Sequence, residues 1–133
     1  MSRNKSHIPR VMIVDDNYNF RQGYKEYLTY QTDLSIVGEA KDGFEAIKKI
    51  NKLKPDIVFM DISMPQMDGL TAAHLIKEKH PGIKIVIVTI HEKHIFKEIV
   101  ESLPVDGFIN KSSIFLELPK ILKRLDILVN TTA

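Results

Sequence analysis

Five strand-sized apolar runs, at 11–14, 34–40, 57–60, 83–88 and 105–109, are separated by helix-length segments whose apolar residues return every three or four positions. That alternation leaves few folds open. Runs such as Val11-Met12-Ile13-Val14 and Ile57-Val58-Phe59-Met60 lack a polar residue at every second place, so they suit strands covered on both faces. Between the runs, Phe20, Tyr24, Tyr27 and Leu28 predict a helix over 18–30. Phe44, Ala46, Ile47 and Ile50 predict a second over 43–53, and Leu70, Ala73, Leu75 and Ile76 a third from 69. Residues 94–103 read as a fourth helix, broken by Pro104, and 114–129 as a fifth with Ile121, Leu122, Leu125 and Leu128 on one face. Strands and helices in this order, with right-handed crossovers, predict an α/β fold: a doubly wound five-stranded parallel sheet with helices on both faces.

In such a sheet, ligands bind just outside the carboxyl ends of the strands. Here the first strand ends in Asp15 and Asp16, the third in Asp61 and the fourth in Thr89, and Lys111 follows the fifth. Three carboxylates gathered at one edge repel one another and favour a hard divalent cation such as Mg²⁺, which takes oxygen ligands. A cation, an ammonium and a hydroxyl around one carboxylate are the parts needed to hold a phosphoryl group on it. Asp61 is the candidate nucleophile, with Pro65 and Gly69 punctuating the loop that follows it.

Each feature also has a plainer role. Asp15-Asp16-Asn17 suits a helix cap, Lys111 alone a surface lysine, Thr89 a strand-end threonine, and Phe108 a half-buried aromatic. His91-Glu92-Lys93-His94 falls one residue short of the zinc pattern H-E-x-x-H. His7, His74 and His80 have no evident partners in the sequence.

With 133 residues, 44% of them hydrophobic, the chain suits one domain with a full core. The expected layout is a flexible tail over 1–9, the domain over 10–128, and a tail or the start of a linker over 129–133. Nineteen basic against 17 acidic side chains leave a net charge of +2, too little to imply nucleic-acid binding by charge alone. The absence of cysteine excludes disulfides and thiolate metal sites. The basic start lacks the apolar stretch of a signal peptide, and no apolar run approaches the roughly 20 residues of a membrane span. A cytoplasmic location without membrane contact is expected.

Taken together, these residues resemble the receiver domains of two-component response regulators. The resemblance covers residues 10–128 and implies the (βα)5 flavodoxin-like receiver fold. It rests on the acidic pair Asp15-Asp16, the loop Asp61-Ile62-Ser63-Met64-Pro65-Gln66-Met67-Asp68-Gly69, and Thr89 and Lys111. Ile36-Val37-Gly38-Glu39-Ala40-Lys41-Asp42-Gly43 and Asp106-Gly107-Phe108-Ile109-Asn110-Lys111 are most similar to receivers of LuxR-type transcription regulators.

The resemblance implies phosphoryl transfer from a sensor histidine kinase to Asp61, with catalytic roles for Asp61, Thr89 and Lys111. It implies Mg²⁺ at Asp16, Asp61 and the Ser63 carbonyl, with Asp15 acting through water, and a switch formed by Thr89 and Phe108. Phe108 is expected to enter from the surface once Thr89 is drawn inward. Such a protein assists its own phosphorylation but is not an enzyme in the usual sense. The resemblance further implies homodimerisation through the fourth helix, fifth strand and fifth helix, where Ile95, Phe96, Ile99, Phe108, Phe115 and Leu116 are candidates. DNA contact is expected only through a C-terminal output domain absent from this sequence.

Three residues depart from the family pattern. Ser112 follows the lysine where proline is common, and a cis bond without proline costs about 3 kcal/mol. Ile90 stands where a small residue is usual, and Pro104 where a helix-ending glycine is common. Ile90 and Ser112 keep open a degenerate receiver that acts as a phosphorylation-independent interaction module. An aspartate-nucleophile phosphatase would need a second acid close after Asp61, where Ile62 and Ser63 stand. A flavodoxin-like cofactor binder would need a phosphate cradle where Asp15 and Asp16 would repel one.

Overall fold

The computed structural model describes residues 8–62, 64, 66–90 and 105–125. It contains β1 (Arg10–Val14), α1 (Tyr18–Gln31), β2 (Ser35–Ala40), α2 (Gly43–Leu53), β3 (Ile57–Asp61), α3 (Gly69–Lys79), β4 (Lys84–Thr89) and β5 (Gly107–Asn110). A 3₁₀ turn at Lys111–Ser113 then leads into the last helix, α4 (Ile114–Arg124). The strands form one parallel sheet in the order β2-β1-β3-β4-β5.

Because successive side chains on a strand point to opposite faces, each apolar run feeds two cores at once. Met12, Val14, Met60, Ile85 and Ile87 pack with Ala46 and Ile50 of α2 and Ala72, Ala73 and Ile76 of α3. Val11, Ile13, Phe59, Val86 and Val88 pack on the other side with Tyr24 and Leu28 of α1 and Leu118 and Leu122 of α4. Burial on both faces explains the missing polar alternation, and each fully buried large aliphatic side chain contributes roughly 1.5–3 kcal/mol.

Local signals set the helix starts. The side chains of Asn17, Asp42 and Asp68 accept hydrogen bonds from the backbone N–H groups of Phe20, Glu45 and Thr71, each satisfying an otherwise unpaired donor of a first turn. Asn17, rather than Asp15 or Asp16, therefore caps α1.

Several expectations need correction. Phe44 and Leu75 belong to the apolar stripes that predict α2 and α3 yet are exposed, because a three-to-four-residue stripe is wider than the strip of helix that meets the sheet. The last helix is described only to Arg124, and its predicted start at 114 is preceded by the 3₁₀ turn. His80 Nε2 lies 2.9 Å from Asn51 Oδ1, and His74 Nε2 lies 3.7 Å from Glu78, so both histidines have partners. No peptide bond among the described residues is cis, Lys111–Ser112 included. The predicted helix at 94–103, residues 1–7 of the first tail, all of the second tail, Ser63, Pro104, and the candidates Ile95, Phe96 and Ile99 lie outside the described residues.

Candidate phosphoryl-acceptor site

The chain places β2 on one side of β1 and β3 on the other, so the crossovers leave in opposite directions at the β1–β3 seam. A crevice opens at the carboxyl end of such a seam. Val14 lies beside Met60 in the register, which brings the next residue of β1, Asp15, alongside Asp61. Oxygen atoms from Asp15, Asp16 and Asp61 all lie within 4.8 Å of one another. Asp15 and Asp61 are buried and Asp16 is exposed.

The two aspartates after β1 differ in what occupies them. Asp15 Oδ1 accepts the Asn17 N–H at 2.8 Å, and Oδ2 lies 2.6 Å from Lys111 Nζ. Asp16 makes no hydrogen bond or ion pair among the described residues, so its oxygens can serve a cation directly while Asp15 suits contact through water. This donor set of carboxylate oxygens fits Mg²⁺.

Lys111 crosses from the end of β5 and bridges two of the carboxylates, with Nζ 3.2 Å from Asp61 Oδ2. Lys111 pairs with the candidate acceptor Asp61 and, more closely, with Asp15. Burial alone would push the lysine's pKa down. The hydrogen bond to Asp15 and the charges of Asp61 and Asp15 outweigh it and hold the pKa above its ordinary 10.5. The ammonium also sits 4.2 Å over the ring of Phe20, a contact that favours the charged form. In the sequence Phe20 stands out only through the apolar spacing that predicts the helix over 18–30.

Thr89, at the end of β4, is fully buried and lies opposite Asn110 of β5 in the register. Phe108 is already inside the core with 6% exposure, packed among the residues of the α2–α3 face. This corrects the expectation that it starts on the surface: its place opposite Ile87 in β4 turns its ring toward Met60 and Ile85. Ile90 is 70% exposed and lines a cavity of about 360 Å³ with Asn17, Phe20, Asn110, Lys111 and Ser112. A larger groove of about 550 Å³ runs from Lys111 between α1 and α4, past Phe20, Tyr24, Ser113 and the exposed Phe115 and Leu116.

A second network, not visible in the sequence, supports the acidic loop. Arg21 Nη1 donates to the Asp15 carbonyl oxygen at 2.5 Å, and its Nε donates to Glu39 Oε1 at 3.1 Å. Burial alone would raise the Glu39 pKa, but hydrogen bonds from Lys25 and Arg21, and their charges, hold it below its ordinary 4.5. The two acceptors lie 6 and 18 residues from Arg21, and no motif connects all three.

A sequence profile described as Response regulator receiver domain matches residues 11–123. The response regulator protein VraR of Staphylococcus saprophyticus is 34% identical over 117 residues, covering 86% of this chain and 55% of that protein. The chain thus spans about half the length of the curated relatives it matches. A LuxR-family two-component response regulator from Aurantimonas superposes with a TM-score of 0.83 at 29% identity, covering 90% of this chain and 85% of the other. The isolated receiver domain of RcsB from Salmonella enterica serovar Typhimurium, solved with the phosphomimetic BeF₃⁻, gives 0.82 at 28% identity and covers 90% and 89%.

Proposed function

This chain belongs to the response regulator receiver family, and from that premise we propose that Asp61 accepts a phosphoryl group from the phosphohistidine of a sensor histidine kinase. The observation that carries the proposal is the meeting of Asp15, Asp16 and Asp61 within 4.8 Å, with Lys111 bridging Asp15 and Asp61.

An Asp61 carboxylate oxygen attacks phosphorus, a P–O bond forms as the P–N bond breaks, and the departing imidazole takes up a proton. Mg²⁺ held at these carboxylates would neutralise phosphoryl charge during the transfer. Asp16 and Asp61 would hold the ion, with Asp15 reaching it through water and the Ser63 carbonyl joining them as the family resemblance implies. Lys111 leaves Asp15 for a phosphoryl oxygen, its charge secured by the surrounding carboxylates, while the Thr89 hydroxyl donates to another. The Lys111–Phe20 contact keeps the ammonium at the mouth of the α1–α4 groove, where the apolar side chains of Phe115 and Leu116 offer a surface for the donor.

Phosphorylation then shifts the protein's partner surfaces. Since Phe108 is already buried, the reading favoured is that Thr89 and the phosphoryl group stabilise this packing rather than create it. The proposed dimer face includes β5 and α4 together with residues outside the described set. DNA contact, where it occurs in LuxR-type proteins, is assigned to the half of those relatives that this chain does not span.

Incubation with acetyl phosphate and Mg²⁺, followed by intact mass measurement, is expected to add one phosphoryl group. Asp61→Asn is expected to abolish the gain, and chelation of the metal to prevent it. Undiminished labelling in the variant, or labelling in EDTA, would overturn the assignment.

A further inference from the structure

We propose that Arg21 is a positioning residue for the cation site: it grips the peptide group that joins Asp15 to Asp16 and thereby sets where both carboxylates point. The inference rests on the Mg²⁺ site proposed above. Its basis is the bond from Arg21 Nη1 to the Asp15 carbonyl oxygen, 2.5 Å long. The Asp15 N–H donates to the Ala40 carbonyl of β2 at 3.0 Å, so the backbone of Asp15 is held on both sides, by the edge strand and by Arg21. Asp16 follows directly and has no side-chain partner among the described residues. Only the backbone orients it, and rotation of the Asp15–Asp16 peptide is the motion that would swing it away from Asp61.

Arg21 is itself fixed. Its Nε reaches Glu39 Oε1, its side chain is 14% exposed, and the guanidinium lies 5.6 Å from the centre of the Tyr18 ring. A planar guanidinium can address two diverging acceptors at once, whereas an ammonium is a compact point charge without that fork. Glu39 is held in turn by Lys25 at 2.8 Å and Gln22 at 3.2 Å, with Lys49 on its carbonyl oxygen at 2.6 Å.

A simpler role would be to tether α1 to β2 through Glu39. Lys25 already makes that tether from the same helix to the same carboxylate, and what Arg21 adds is the bond to the Asp15 carbonyl. Electrostatics separates the two roles further. As a bare charge, Arg21 repels a cation, so its removal would tighten binding. As a positioning residue, its removal loosens binding.

The test is titration of the full chain with Mg²⁺ alone, followed by the amide shifts of residues 15–17, with Tm measured separately in EDTA. Arg21→Gln is expected to raise the Mg²⁺ Kd roughly 10-fold, the lower end of the range for groups that orient metal ligands. Arg21→Lys, which keeps the charge without the fork, is expected to weaken binding less. Lys25→Gln is expected to lower Tm while leaving the Kd at the wild-type value. Binding by Arg21→Gln as tight as the wild type or tighter overturns the proposal, and so does equal weakening by Lys25→Gln. Should Arg21→Gln fail to fold, an unchanged Kd in Arg21→Lys overturns it instead. Asp16→Asn separates the two levels of inference: if it binds Mg²⁺ like the wild type, the cation site itself fails and the role of Arg21 falls with it.

Discussion

Replacing Gly69 by alanine tests how tightly the acceptor loop is built. The first residue of α3 presses against the end of β3, its N–H donating to the Ile62 carbonyl at 2.9 Å. A Cβ at this position would lie 1.9 Å from the carbonyl oxygen of Asp61, 2.8 Å from its carbonyl carbon and 3.0 Å from Ile62 Cα. All three are backbone atoms, so no side chain can turn aside. Glycine is required here for space, since no described glycine has a positive φ.

Opening the closest contact from 1.9 Å to the 3.0 Å limit of real Cβ contacts needs a movement of about 1.1 Å. Either the first turn of α3 retreats or the end of β3 does. The turn is anchored by the Asp68 cap and by the buried Ala72 and Ala73, and the strand is paired on both sides. The cost belongs at the upper end for overpacking, about 3 kcal/mol, which lowers Tm on the order of 10 °C. Because the displaced carbonyl belongs to the acceptor itself, a shift of about 1 Å is expected to slow phosphorylation by acetyl phosphate on the order of 100-fold. Thermal melting and timed intact-mass measurements check both figures. Gly82→Ala is the control, since nothing lies within 4 Å of a Cβ there. A Gly69→Ala protein that melts and labels like the wild type would refute the steric argument.

Lys111→Ala removes the cation between Asp15 and Asp61. It is expected to melt lower than the wild type in EDTA, to gain more in Tm from added Mg²⁺, and to label slowly, all measurable by melting with and without metal and by timed labelling. Tyr24 has a buried hydroxyl without a hydrogen-bond partner among the described residues, and burial, then the charge of Tyr27, push its pKa well above 10. Tyr24→Phe is therefore expected to stabilise the protein by about 1 kcal/mol in urea unfolding, and a loss of stability would show that the hydroxyl has a partner. Glu39 has a lowered pKa in the fold, so its contribution is present above the ordinary carboxylate value of 4.5 and is lost as pH falls through the folded value. Glu39→Gln should flatten the acid limb of a Tm-against-pH curve, and an unchanged slope below pH 4.5 would exclude the ion-pair network from acid unfolding.

The sequence by itself determined the strands, the helix starts and the chemistry available at the strand ends. Runs such as 57–60 announced two-sided burial because the period of a strand is fixed by its backbone, and Asn17, Asp42 and Asp68 are caps whose effect is spent within one turn. That Asp15, Asp16, Asp61, Thr89 and Lys111 fall at strand ends on one edge of the sheet was legible because the ends of parallel strands share that edge.

Only the tertiary structure decided how those groups pair. Whether Lys111 favours Asp15 or Asp61 turns on a difference between 2.6 and 3.2 Å, far below the resolution of any spacing rule. The buried position of Phe108 follows from its register against Ile87, and the exposure of Phe44 from how little of α2 meets the sheet. The grip of Arg21 on the Asp15 carbonyl joins an edge strand, a helix and a loop through side chains that no period relates. Periodicity is a property of one element, whereas a site is a set of distances between elements, and those distances exist only once the sheet order β2-β1-β3-β4-β5 has brought the strands together.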